Sequence, residues 1–152
     1  MSLKIHGIIA GCLVLGAIAP CEVEGAAPAG RFSVIVSAGT VLDNKTQLVW
    51  QRTVPNLTKS TWAAAKSACG SLGLAGGGWR MPTVRELRGL VDRQQKAPAL
   101  DPTAFPAAPA QQFWSGSAVT DSKGVYWVVD FAAGDSYGVA ATGANALVRC
   151  VK

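Results

Sequence analysis

Histidine is almost missing from this sequence. Its one copy, His6, stands among the first ten of 152 residues. Charge is scarce too: 15% of residues are Asp, Glu, Lys or Arg, against roughly 25% in an average soluble domain. Hydrophobic residues make up 49%. That excludes a disordered tail protein, because such chains combine high charge with few apolar residues. No uninterrupted apolar run reaches the roughly 18–20 residues of a membrane-spanning helix. No internal repeat is visible. The length suits one domain, with or without an extra segment.

The opening has the order of a secretory signal peptide. Lys4 supplies a positive start, residues 8–19 (IIAGCLVLGAIA) form an apolar stretch of twelve, and Gly25, Ala26 and Ala27 are small. Cleavage near 25–27 is expected, which makes residues 1–25 the signal and residues 26–30 (AAPAG) a short lead. A buried core helix is the alternative use of such a stretch. Lipid attachment is the rival for export. Cys12 leaves too short an apolar core before it, and Cys21 follows Pro20 where a small residue is wanted.

Removing residues 1–25 takes Lys4, Glu22 and Glu24 from 14 basic and 9 acidic residues, leaving 13 and 7, a net charge of +6. His6 goes too, so the mature domain has no histidine. Cys69 and Cys150 remain, 81 positions apart. Two cysteines in an exported chain are most simply one disulfide. Closing so long a loop stabilises by about 4–5 kcal/mol on chain-entropy grounds. A reactive thiol is the alternative, but it lacks a histidine to lower its pKa.

Patterning then gives the elements. Residues 31–36 (RFSVIV) read as a strand. Val41-Leu42 and Leu48-Val49-Trp50 flank the turn-rich tetrad Asp43-Asn44-Lys45-Thr46, a β-hairpin pattern. Residues 59–72 read as a helix capped by Ser60 or Thr61, with Trp62, Ala65 and Cys69 on one face. A second helix is expected over 83–92. There Thr83 and Glu86 have capping-box spacing and Val84, Leu87, Leu90 and Val91 form the apolar stripe. Residues 97–110 hold Pro98, Pro102, Pro106 and Pro109, which excludes a helix or central strand. Leu100 and Phe105 are the expected anchors of that loop. The remainder reads as strands at 113–115, 125–131, 137–139 and 146–151, with Ala133-Gly134-Asp135 as a hairpin turn. Strand runs separated from a pair of helices indicate α+β, and the amino- and carboxyl-terminal strands are candidates to pair.

The chemistry available is narrow. Without histidine a Ser-His-Asp or Cys-His mechanism is excluded, as are His-based zinc and non-haem iron sites. Gly76-Gly77-Gly78 lacks the Lys-Ser/Thr of a phosphate loop. No Asp-rich loop of the EF-hand kind is present. Asp43, Glu86, Asp92, Asp101, Asp121, Asp130 and Asp135 are the remaining acids, and nothing singles out a hydrolytic pair among them. The basic side is richer: Arg80, Arg85, Arg88, Arg93 and Lys96 fall within seventeen residues. Clustered arginine attracts anionic polymers and grips sulfate, phosphate or carboxylate in bidentate fashion. A solvated helix face is the plainer use of the same residues. Nucleic acid is disfavoured by export and by the lack of an aromatic-basic motif. Five tryptophans serve a core first, while any exposed one offers a face for sugar stacking.

Read together, the motifs resemble one family. Gly78-Trp79-Arg80-Met81-Pro82-Thr83-Val84-Arg85-Glu86-Leu87, with Leu90-Val91-Asp92, resembles the GWRLPTxxEL…LVD signature of the Legionella collagen-like adhesin C-terminal domain family. Thr40-Val41-Leu42-Asp43-Asn44 with Leu48-Val49-Trp50-Gln51 is similar to its opening hairpin. Trp62-Ala63-Ala64-Ala65-Lys66 with Cys69 is similar to its first helix. Phe113-Trp114-Ser115, Trp127-Val128-Val129-Asp130-Phe131 with Gly134-Asp135, and Val148-Arg149-Cys150-Val151 resemble its later strands. The resemblance covers residues 31–152. It implies a C-type-lectin-like α+β fold: two helices packed on a small antiparallel sheet that joins both termini, with a long Pro-rich loop. It also implies that a Cys69–Cys150 bond ties the first helix to the last strand. The best-known member is a trimeric adhesin that binds sulfated glycosaminoglycans. The calcium-binding sugar motifs of true C-type lectins and a collagen-like repeat are both absent here. The active cysteines of the formylglycine-generating enzymes, more distant relatives by fold, are unmatched.

The expectation is therefore an exported, non-enzymatic binding module without cofactor or metal, periplasmic, cell-surface or extracellular. Anionic polysaccharide or surface glycan is the expected ligand, and a protein partner in an envelope assembly is the alternative. A membrane is met only through the signal peptide or a lipid anchor. Arg85, Arg88, Arg93 and Lys96 are the candidate ligand residues, with the loop over 97–112 supplying shape. Trp79, Arg80, Pro82, Glu86, Asp92, Trp127 and Asp130 are expected to be structural. Trp79 and Trp127 belong to the core in that reading, and Arg80 pairs with Glu86 or Asp92 or with backbone carbonyls.

Overall fold

The computed structural model describes residues 30–55, 57–143 and 145–152. The signal peptide expected over 1–25, and the lead before Gly30, lie outside the described residues.

The first sheet is an antiparallel meander of β1 (Phe32–Ile35), β2 (Thr40–Asp43) and β3 (Leu48–Gln51). Gly39 sits at φ 65°, so the turn between β1 and β2 takes a left-handed residue without a Cβ penalty. At the next turn Asp43 Oδ1 accepts the Lys45 amide at 3.0 Å, a side chain standing in for a backbone turn bond. The second sheet is also an antiparallel meander: β4 (Gln112–Ala118), β5 (Val125–Asp130) and β6 (Asp135–Ala140).

Both helices are shorter than periodicity alone predicts, because tertiary hydrogen bonds claim their ends. Helix α1 spans Trp62–Gly70 and is capped by Thr61, whose hydroxyl accepts the Ala64 amide. The Ser60 amide instead donates to the Ala146 carbonyl, so residues 59–60 are not helical. Helix α2 spans Val84–Gly89, with the full Thr83–Glu86 capping box in place. It ends early because the Asp92 amide turns away to the Ala99 carbonyl.

The closing residues correct a larger expectation. Residues 146–151 do not form one continuous strand: only the last residues meet the edge of the first sheet, where Val49 and Lys152 exchange both backbone bonds and the Gln51 amide donates to the Cys150 carbonyl. The segment instead laces the molecule together through isolated bridges. Ala146 meets Ser60, Leu147 meets Phe113 of β4, and Val151 meets both Trp50 of β3 and Arg80. Its partners lie in separate elements, so a continuous ladder cannot form. The amino-terminal strand pairs with β2, and the closing segment reaches β3 instead.

The main core gathers Val41 and Trp50 from the first sheet, Leu87 from α2, and Phe113 and Val129 from the second. Leu100 and Phe105 of the Pro-rich loop are buried in it, with the Phe105 ring edge-on to Phe32 at 5.4 Å. A smaller cluster packs Cys69, Trp79 and Cys150 together, and Cys69 and Cys150 form the disulfide. Trp50, Trp79 and Trp114 are buried. Trp127 corrects its assignment to the core: it is half-buried. Its neighbours Val128 and Val129 fill the core, and its cross-strand partner Gly138 has no side chain to cover it.

Candidate functional site

The site grows around α2. Arg80 grips Glu86 with both terminal nitrogens, at 2.9 and 2.7 Å, and Glu86 also accepts the Thr83 amide at 2.8 Å. The Arg80 guanidinium holds the Glu86 carboxyl down at about 2, against the opposing effect of burial, with help from Thr83. The same pairing raises the Arg80 pKa. Arg80 is thus committed to a carboxylate of its own chain.

Arg31 does an analogous task at the other end of α2. Its Nη2 donates to the Gly89 carbonyl at 2.7 Å and to Asp43 Oδ2 at 3.0 Å, joining the helix C-terminus to the first hairpin. A cation there complements the helix dipole. Burial pushes the Asp43 carboxyl up, but hydrogen bonds from Arg31 and the Lys45 amide bring it below its ordinary value. Sequence reading missed this pair. Its signal was an arginine opening a strand whose partner ends in Asp, and strand register was needed to see it.

Arg85, Arg88, Arg93 and Lys96 are all exposed. None pairs with a carboxylate among the described residues. They do not converge on one point. Arg93 and Lys96 line a surface hollow of about 460 Å³ with Gln95 and the turn Ala132–Ala133–Gly134–Asp135. Arg85 and Arg88 lie outside that lining, on α2. The Pro-rich loop is anchored by buried side chains, so its Leu100 and Phe105 belong to the core.

The motif acids shape this hollow from both sides. Asp92 is buried and its Oδ1 accepts the Gln94 amide at 2.9 Å. Asp130 Oδ1 accepts the Ala132 amide at 2.9 Å. Each carboxylate therefore sets the turn that carries one wall. Gly134 lets the walls meet. It sits at φ 85°, and a Cβ there would stand 2.8 Å from Val91 Cγ1. Pro82, in the same motif, is buried where the chain enters α2.

Arg149 is the opposite kind of arginine. It is wholly buried, and its Nη1 donates to the Gln51 and Arg52 carbonyls at 2.7 Å each. Its guanidinium lies over Phe105 at 4.6 Å and Phe113 at 5.7 Å. Burial pushes it down to about 9. Among the described residues no group of three or more His, Cys, Asp or Glu side chains is placed to hold a metal ion. Asp43, Glu86, Asp92, Asp101 and Asp130 each accept a backbone amide, so these five acids have structural work.

These features define a small disulfide-tied α+β domain with an exposed row of cations along one helix and the loop that follows it. Residues 39–152 match the family model of the Lcl C-terminal domain, and the chain belongs to that family. A comparison with curated proteins finds no match. Among the described residues no helix is long and apolar enough to cross a membrane.

Proposed function

We propose that this domain is an exported, adhesin-like binding module for anionic or surface polysaccharide, without catalytic activity or cofactor. One observation carries the reading: Arg93 and Lys96 share a hollow whose walls are fixed by Asp92 and Asp130, beside the exposed Arg85 and Arg88. The fixed turns hold the backbone beneath these cations, so an arriving sulfate or carboxylate has only their side chains left to order. Membership of the Lcl C-terminal domain family supports the same function. The two helices, the disulfide and the closing segment that reaches back to β3 support reading the fold as a C-type-lectin-like variant.

The test is retention of the protein beginning at residue 26 on a sulfated-glycan column. Retention at low salt is expected, falling as salt screens the contacts, and reduced by Arg85→Ala, Arg88→Ala and Arg93→Ala together. Passage straight through at low salt would overturn the proposal. A second reading, a protein-interaction domain of an envelope assembly, is favoured by Ile35 and Val36, which stand 47% and 70% exposed at the end of β1. Self-association or partner capture lost on Val36→Asp, with no glycan retention, would select it.

A further inference from the structure

In the first sheet the outer side of β3 is closed by the last residues of the chain, where Val49 bonds Lys152 and Gln51 bonds Cys150. The outer side of β1 is open: among the described residues, no hydrogen-bond partner meets its backbone there. We infer that this edge pairs with the same edge of a second copy of the chain, antiparallel about Ser33, so that two three-stranded sheets become one sheet of six strands.

The ladder fixes which backbone groups are offered. The Asn44 amide donates to the Arg31 carbonyl at 2.8 Å, and Ser33 and Ile35 stand opposite Leu42 and Thr40. Bonded and non-bonded pairs alternate along an antiparallel ladder. Arg31, Ser33 and Ile35 therefore turn their backbone groups towards β2, while Phe32 and Val34 turn theirs outward. With two copies set antiparallel about Ser33, Phe32 of each faces the partner's Val34, and four N–H···O bonds close. Any extended strand can use such groups, so the choice of a second copy rests on the side chains.

Residues 32–38 (FSVIVSA) hold no charge, proline or glycine. Short segments of that kind, with high strand propensity and no charge, pair with copies of themselves. Natural edges that stay single carry lysine, proline or a bulge, and β1 has no lysine or proline. The nearest charge, Arg31, is held by Asp43 and the Gly89 carbonyl. Ile35 and Val36, 47% and 70% exposed, stand at the end of the same edge. In the paired form Ile35 lies diagonal to the partner's Ser33, within side-chain reach, so apolar surface leaves water. The outer edge of β6 differs. It opens on Asp135, Gly138 interrupts its row of side chains, and Asn145 Nδ2 already donates to its Ala140 carbonyl at 3.3 Å.

The pairing rests on the protein-interaction reading, whose apolar edge it supplies with an occupant, and it uses none of Arg85, Arg88, Arg93 or Lys96. The protein beginning at residue 26 is followed by sedimentation over a range of concentrations. A concentration-dependent dimer is expected, of the weak class because the contact is small. Ser33→Lys sets two like charges opposite each other on the two-fold axis, and Ser33→Asp does so with the other sign. Each alone should weaken the dimer about tenfold or more, and an equal mixture of Ser33→Lys with Ser33→Asp should restore it. Both should melt close to the parent, since Ser33 is exposed and its side chain bonds only Asn44 among the described residues. Ile35→Lys, at an exposed side chain, is a second route to the same loss. Ser136→Lys, on β6, should leave the dimer unchanged. A monomer at every concentration up to about 1 mM, a dimer that survives Ser33→Lys and Ile35→Lys, a mixture that stays monomeric, or a dimer lost through Ser136→Lys instead would each overturn the pairing. A monomer that still captures another protein through Val36 would overturn it while keeping the protein-interaction reading.

Discussion

Residues 146–152 and residues 84–96 both carry arginine, and the fold treats them oppositely. In the closing segment Arg149 is fully buried and, among the described residues, pairs with no carboxylate. Two backbone carbonyls and two phenyl faces surround it instead. Along α2 and its trailing loop, Arg85, Arg88, Arg93 and Lys96 stand in solvent. A buried charge needs fixed partners or it destabilises the fold, so Arg149 is tied to one arrangement of β3, the Pro-rich loop and β4. Exposed cations gain little from intramolecular pairing and keep their capacity for an external anion. The closing segment thus holds the molecule together, while the α2 region leaves its cations in solvent.

That contrast can be broken by substitution, beginning where the largest effect is expected. Replacing Cys69 and Cys150 with Ser removes a bond across 81 positions. The expected loss is about 4–5 kcal/mol by chain entropy, read as a lower denaturation midpoint. A loss near zero would mean that the noncovalent bridges of the closing segment suffice. Arg149→Met keeps the length and removes the donors. The Gln51 and Arg52 carbonyls then lose a charged partner inside the core, at a cost of about 2–3 kcal/mol. A methionine variant as stable as the parent would show that filling the space matters and the charge does not.

Glu86→Gln sits between the two regimes. It weakens the Arg80 pair and the capping box, and about 1 kcal/mol is expected because Arg80 is half-exposed and solvent screens the pair. The sign of the pH effect follows from the lowered value. Folded Glu86 titrates at about 2 against an ordinary 4.5, so its contribution is whole above 4.5 and disappears as pH falls towards 2. Stability measured over that window should fall less steeply in the Gln variant. The smallest stability effect belongs to Arg85→Ala and Arg88→Ala, within about 0.5 kcal/mol each, while glycan retention drops. A large loss of stability from either would assign α2 a structural cation and erase the contrast.

Much of the fold was legible because local chemistry agrees with it. The first hairpin follows from Asp43 and its turn tetrad, and α2 begins where Thr83 and Glu86 say it should. Leu100 and Phe105 stood out as the apolar side chains of a loop otherwise rich in proline and alanine. The ends of the helices were not legible, since Ser60 and Asp92 spend their amides on Ala146 and Ala99, far away in sequence. The site divides in the same way. The cations of α2 are visible as a cluster, but nothing local says that Arg93 and Lys96 face the Ala132–Asp135 turn. Nor does it say that Trp62 stacks on Tyr126, 64 positions later.

The sequence by itself determined the excluded chemistry, the turns and caps, and the pairing of the two cysteines expected to survive export. Each depends on residue identity or on neighbours a few positions apart. Only the tertiary structure decided that 146–151 would lace two sheets rather than form one strand. It also decided that Arg149 would be sealed inside while Arg85 and Arg88 stay out, and that Trp62 and Tyr126 would stack. Those outcomes depend on which distant backbone groups and side-chain faces are left to be satisfied when the core closes, and the closing of the core is a property of the whole chain.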